Sequence, residues 1–109
     1  MEHPWDLIIV RAKIHLRATA EGGRKTGFKS GYRPNHVFER KNDGQILQTY
    51  VGDILFDHSD LVEPGTIEIV TVRFLKIPEI EKYIRVGQKW WIYEVPRIVA
   101  EGEILEVIN

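Results

Sequence analysis

The residues best suited to chemistry crowd into one stretch, Glu21-Gly22-Gly23-Arg24-Lys25-Thr26-Gly27-Phe28-Lys29-Ser30-Gly31-Tyr32-Arg33-Pro34. Glycines there free backbone amides from steric cover, and the cations Arg24, Lys25, Lys29 and Arg33 suit phosphate or carboxylate groups. Gly22-Gly23-Arg24-Lys25-Thr26 is superficially like a nucleotide phosphate loop. That motif needs four residues between its glycines, a glycine directly before the lysine, and a helix afterwards to aim amide dipoles at phosphate. Neither spacing condition is met and a strand follows, so no nucleotide cofactor is expected.

Other catalytic constellations are equally thin. The histidines 3, 15, 36 and 58 show no helical i, i+4 pairing and no carboxylate at metal-ligand spacing, so they are expected to be structural or surface residues. Asp53, Asp57 and Asp60 bracket one strand end without forming a calcium-loop pattern. Cysteine is absent, which excludes disulfides, thiolate metal sites and sulfur redox chemistry and suits a reducing, cytoplasmic location. No catalytic residue, metal or cofactor is assigned, and the chain is expected to work by binding.

The elements that must position the loop are strands. Ile8, Val10, Ala12, Ile14, Leu16 and Ala18 alternate with Arg11, Lys13, His15 and Arg17, which predicts a half-buried strand with a basic outer face and His15 in solvent. Tyr32 to Phe38 reads as a second strand, entered at Pro34, and Asn42-Asp43-Gly44 as a turn. A third strand alternates Tyr50, Gly52, Ile54 and Phe56 with Val51, Asp53 and Leu55. Val62-Glu63-Pro64-Gly65 then carries the signal of a type II turn.

From Thr66 to Lys76 the pattern slips, with Ile67 and Ile69 on one parity and Val70, Val72 and Phe74 on the other; this predicts a bulge or burial on both faces. Pro78 to Gly87 fits either a short helical turn or an irregular excursion, and is expected to be a loop. Gln88 to Val95 and Arg97 to Ile108 complete the set, with one ring of Trp90-Trp91 inside and the other outside. Six short strands without a long helix indicate an all-β closed barrel or a sandwich, and the barrel is expected because it leaves no unpaired edge. A length of 109 residues bounds this to one domain with its core from about residue 8 to 108.

The net charge of −1 is unevenly spread. Residues 1–41 hold nine Lys/Arg against four Asp/Glu and the remainder six against twelve, so a dipolar surface is expected. Met1 to Asp6 has neither the basic start nor the apolar stretch of a signal peptide, and no segment is apolar enough to span a membrane.

The stretch from Glu21 to Pro34 resembles, without gaps, the opening signature of the C-terminal β-barrel domain of elongation factor Tu, Glu-Gly-Gly-Arg-[His/Lys]-Thr-x-Phe-x-x-Gly-Tyr-Arg-Pro. Val62-Glu63-Pro64-Gly65 falls at that family's Met-Pro-Gly-Asp turn, and Tyr93-Glu94-Val95-Pro96-Arg97-Ile98-Val99 at its Arg-Glu-Gly-Gly-Arg-Thr-Val hairpin. The resemblance runs over residues 8 to 108 and implies a six-stranded antiparallel barrel. In the family this domain grips the T-stem backbone of aminoacyl-tRNA, touches the GTPase domain and helps to bind the exchange factor Ts.

Carried over, the resemblance places Arg24 and Lys25 toward RNA, puts Asn35 at a Gln position and matches Glu94 to a Glu. Gly22 and Gly23 fall where the loop meets the GTPase domain. Tyr93 stands for a phosphate-binding Arg, and Val95 for a Gly that lets RNA approach. These changes remove a cation and add a β-branched obstruction. With no GTPase sequence or second barrel in the 109 residues, tRNA delivery and GTP hydrolysis are not expected. Two readings follow. One is a protein-interaction module, meeting another chain or its own copy on the face that would dock a GTPase domain. The other is a module holding structured RNA through Arg24, Lys25, Lys29, Arg33 and Asn35.

Overall fold

The computed structural model describes residues 6–109; the reading of the first residues as lacking a leader, and His3 with it, lies outside them except for Asp6. Six strands form: β1 (Leu7–Leu16), β2 (Asn35–Val37), β3 (Tyr50–Leu55), β4 (Ile67–Leu75), β5 (Lys89–Glu94) and β6 (Arg97–Val107). They close antiparallel in the order β1-β4-β3-β2-β5-β6. Closure depends on β1, which pairs with β4 on one side and β6 on the other. The expected all-β closed barrel is what the chain adopts.

Period two decides the inside. Ile8, Val10, Ala12, Ile14 and Leu16 of β1 are buried, as are Val70, Val72 and Phe74 of β4, Ile54, Ile92 and Ile104. Trp90 fills the centre at 1% exposure, with Phe74 edge-on to it at 5.7 Å and Phe38 stacked at 5.9 Å. Room for that indole comes from Gly102, where an added Cβ would lie 2.8 Å from the ring. Trp91 faces outward under the Arg40 guanidinium, 4.6 Å from its ring centre.

Three local expectations are corrected. Strand β4 runs in unbroken register with β1 from Leu75 to Ile67, so the parity slip marks no bulge. Ile67 and Ile69 simply face outward, 61% and 45% exposed, beside His15 and Lys13. Strand β2 is shorter than read. Its ladder is interrupted at Pro34, which has no N–H to donate, leaving Tyr32↔Ile54 as an isolated bridge. Pro78–Tyr83 forms a 3₁₀ turn rather than a loop, because Pro78 supplies the first helical φ and Ile80 turns fully into the core.

Closure offsets part of the charge asymmetry of the chain. Strand β6 lays Glu106, Glu103 and Glu101 beside the basic outer face of β1, giving Arg11–Glu106 at 3.8 Å, Lys13–Glu103 at 3.9 Å and Arg17 Nε donating to Glu101 at 2.7 Å. Exposed pairs of this kind are each worth under about 1 kcal/mol, so their effect is on the field rather than the stability. Among the described residues, Lys25, Lys29, Arg33, Arg40 and Lys41 are the cations of the N-terminal part left without an ion pair.

Candidate functional site

The loop after β1 is tied down before any ligand is considered. Arg17 N–H donates to Val99 O, and Gly22, in the left-handed region at φ 90°, donates to Thr19 O at 3.2 Å. Gly23 is buried against the strand it has just left, and a Cβ there would sit 2.3 Å from Arg17 O. Gly27 presses the same way on Val62 O, also at 2.3 Å, where Phe28 and Val62 form a bridge. Gly23 and Gly27 are thus demanded by the way the loop folds back on the barrel.

Two of the sequence-predicted residues, Arg24 and Glu94, meet each other. The Glu94 carboxylate accepts from Arg24 Nη1 and from the Tyr32 hydroxyl. Arg24 further donates through Nε to Thr26 O at 3.1 Å and through Nη2 to Gly27 O at 3.3 Å, with its guanidinium 4.9 Å from the Tyr32 ring centre. Burial, and after it the hydrogen bond to Glu94, pushes the Tyr32 hydroxyl well above its ordinary pKa. The Arg24 cation is therefore engaged by groups of the protein itself, with its side chain 22% exposed at the edge of a surface cleft. Glu94→Ala removes the shared acceptor from two part-buried donors. A loss of about 1–3 kcal/mol is expected in urea denaturation, together with a lower pH for ionisation of one tyrosine in ultraviolet titration.

The remaining predicted residues separate into two groups. Lys25 lines a cleft of about 330 Å³ together with Arg24, Glu94, Val95, Pro96 and Arg97, beneath the tip of the β5–β6 hairpin. The tip carries a cis Val95–Pro96 bond and holds the Val95 side chain out, 73% exposed. Across the hairpin a second cleft, of about 520 Å³, includes Gly22, Arg40, Tyr93 and Arg97. Arg97 belongs to both clefts and has no ion-pair partner among the described residues, so it is a functional candidate that the loop signature did not reveal. Its signal was present in the sequence, as a basic residue just beyond a proline at a hairpin tip.

Arg33 and Asn35 lie elsewhere. Asn35 sits in β2 between Tyr93 and Val51, while Arg33 borders an outer-face cleft with Val51, Asp53 and Arg73. Lys29 is exposed beside the Phe28–Val62 bridge. The residues grouped in the RNA reading thus border different clefts.

Among the described residues no three His, Asp or Glu side chains come together in a way that could hold a metal ion, and no helix is long and apolar enough to cross a membrane. Side chains fill the interior, and among the described residues no buried polar side-chain atom lacks a partner. What chemistry the arrangement offers is at its surface: a hairpin tip with an apolar side chain on it, and cations to either side. No protein-family model matches the chain.

Proposed function

We propose that the chain is a non-catalytic protein-interaction module, similar to the C-terminal barrel domain of elongation factor Tu, and that it docks a partner on the hairpin end of the barrel. The observation that carries this reading is the contrast between Arg24 and Val95. The loop cation best matched to RNA is neutralised by Glu94, while an apolar side chain stands in solvent between Lys25 and Arg97. An apolar tip flanked by cations suits a protein surface that offers a shallow apolar depression rimmed by carboxylates. The likeness to the elongation factor domain is supported by the ungapped stretch from Glu21 to Pro34 in a chain that closes six strands antiparallel.

A second reading, contact with the backbone of a structured RNA, draws on the cations Lys25, Arg40 and Arg97 around the same clefts. Affinity capture from lysate at low and at high salt separates the two. The protein reading expects a partner retained at both salt levels by the wild type and lost by Val95→Asp. The RNA reading expects nucleic acid in the eluate, with affinity falling linearly in log salt and little response to Val95→Asp beyond its charge. Recovery of neither class would remove both.

A further inference from the structure

A second surface lies on the outer face of β1, β4 and β3, away from the hairpin. Leu7 pairs with Leu75 across β1 and β4, and Val51 stands beside Leu75 in the next strand; the three line one cleft of about 210 Å³. Val51 is 59% exposed near the end of β3, level with the first residue of β1 and the last of β4. The adjoining row is charged. The antiparallel register that joins Tyr32 to Ile54 and Asn35 to Val51 sets Arg33 opposite Asp53, and Asp53 pairs in turn with Arg73.

Both Asp53 oxygens are taken by Arg73, Oδ1 from Nε at 2.9 Å and Oδ2 from Nη2 at 2.6 Å. Arg33 is exposed, has no ion-pair partner among the described residues, and borders the same cleft. The row Arg33, Asp53, Arg73 therefore carries one uncompensated positive charge next to an apolar strip.

We infer that this cleft binds an extended acidic peptide segment, seating one aliphatic or aromatic side chain on Leu7, Val51 and Leu75 while a carboxylate two residues along meets Arg33. The spacing follows from strand geometry. Arg33 lies one strand over from Val51 and two residues further along, a diagonal of roughly 8 Å that its long side chain spans toward the cleft, while residues i and i+2 of an extended ligand are roughly 6–7 Å apart. Size argues against a cofactor, since pockets for such ligands run from about 300 Å³ upward, whereas this one suits a single side chain. Because the barrel is closed, the segment cannot add to a sheet edge and must be recognised by its side chains. A guanidinium beside an apolar floor is complementary to a hydrophobe-x-acid pattern and not to a neutral or basic one.

The inference rests on the protein-interaction reading only in taking a polypeptide as the partner, and it uses none of the hairpin residues. Its test is an amide NMR titration of the full chain with a capped Gly-Ser-Leu-Ser-Glu-Ser-Gly peptide. Controls are the same peptide with Gln for Glu or Ser for Leu, and a short single-stranded oligonucleotide. Saturable shifts at Val51, Gly52, Asp53 and Leu75 are expected, weakened at least about fivefold by either peptide change and by Arg33→Gln, with partial recovery in Arg33→Lys. Val95→Asp should leave this titration unchanged, so failure of the hairpin reading and failure of this one are told apart. Absence of saturable shifts, equal binding of the three peptides, full retention in Arg33→Gln, or an equal response to the oligonucleotide would each overturn it.

Discussion

Acidification from about pH 6.5 to about pH 4 is expected to cost the barrel on the order of 3 kcal/mol, and His36 is the cause. His36 is fully buried, with Nδ1 accepting from Trp90 Nε1 at 3.0 Å; that bond places the imidazole proton on Nε2, which donates to Gly52 O at 3.0 Å. Both ring nitrogens are thus engaged by the neutral form, and a second proton would have to displace the Trp90 donor. Burial lowers the His36 pKa from 6.5 to about 4, against smaller raising effects of the Gly52 carbonyl and of Asp53. Above pH 6.5 neither state binds the proton. Between 6.5 and 4 the unfolded chain binds it and the folded chain does not, so the equilibrium shifts toward unfolding as pH falls. A difference of this size is a large share of the 5–15 kcal/mol typical of a domain.

Urea midpoints followed by tryptophan fluorescence across that pH range provide the measurement. His36→Leu should flatten the profile there while lowering stability near neutral pH by about 2–5 kcal/mol, because Trp90 N–H and Gly52 O are left buried without partners. Asp53 acts in a different window. Its hydrogen bonds from Arg73 hold its carboxyl below the ordinary 3.8, so its contribution is present above that pH and is lost only as pH falls further. A wild-type profile that stays level to pH 4, or an unchanged slope in His36→Leu, would show that the imidazole is not the acid-sensitive group.

The second large effect concerns Gly23. Replacing it with alanine places a methyl carbon 2.3 Å from the main-chain oxygen of Arg17, just past β1, and backbone cannot swing aside as a long side chain can. A loss of about 3 kcal/mol or more is expected, at the upper end of overpacking penalties. Gly22→Ala meets nothing within 4 Å and bears only the strain of a left-handed residue at φ 90°, about 1–2 kcal/mol. Denaturant midpoints of the two variants at unchanged m-value make the comparison. Equal losses would mean that the close approach of loop to strand is not what demands Gly23. In Gly23→Ala the displaced loop should also loosen Arg24 from Glu94, exposing a cation that the native fold conceals.

The separation between those two adjacent glycines illustrates how much of the site could be read in advance. Glycine spacing marked the loop, and a left-handed turn such as that at Gly22 is a local property. The burial of Gly23 is not local, since it depends on the chain returning to the carbonyl of Arg17 after the turn. Arg24 and Glu94 were each visible as candidate contacts, yet 70 residues of chain separate them, and nothing in either neighbourhood indicates that they neutralise one another. Arg17 and Glu101, 84 residues apart, teach the same about the charge asymmetry. It is real along the chain and is partly offset in space where β6 closes beside β1.

By itself the sequence determined the six strands, which residues of β1 point inward, and that of Trp90 and Trp91 one would fill the core, because alternation along a strand is fixed by backbone geometry between neighbours. The role of His36 escaped it, since β2 is three residues long and too short to display a period. Tertiary structure alone decided which charges are free, where the apolar strip of Leu7, Val51 and Leu75 forms, and that Arg33 lies beside it. Those facts are set by the register between strands distant in the chain, and register is a property of the closed sheet as a whole.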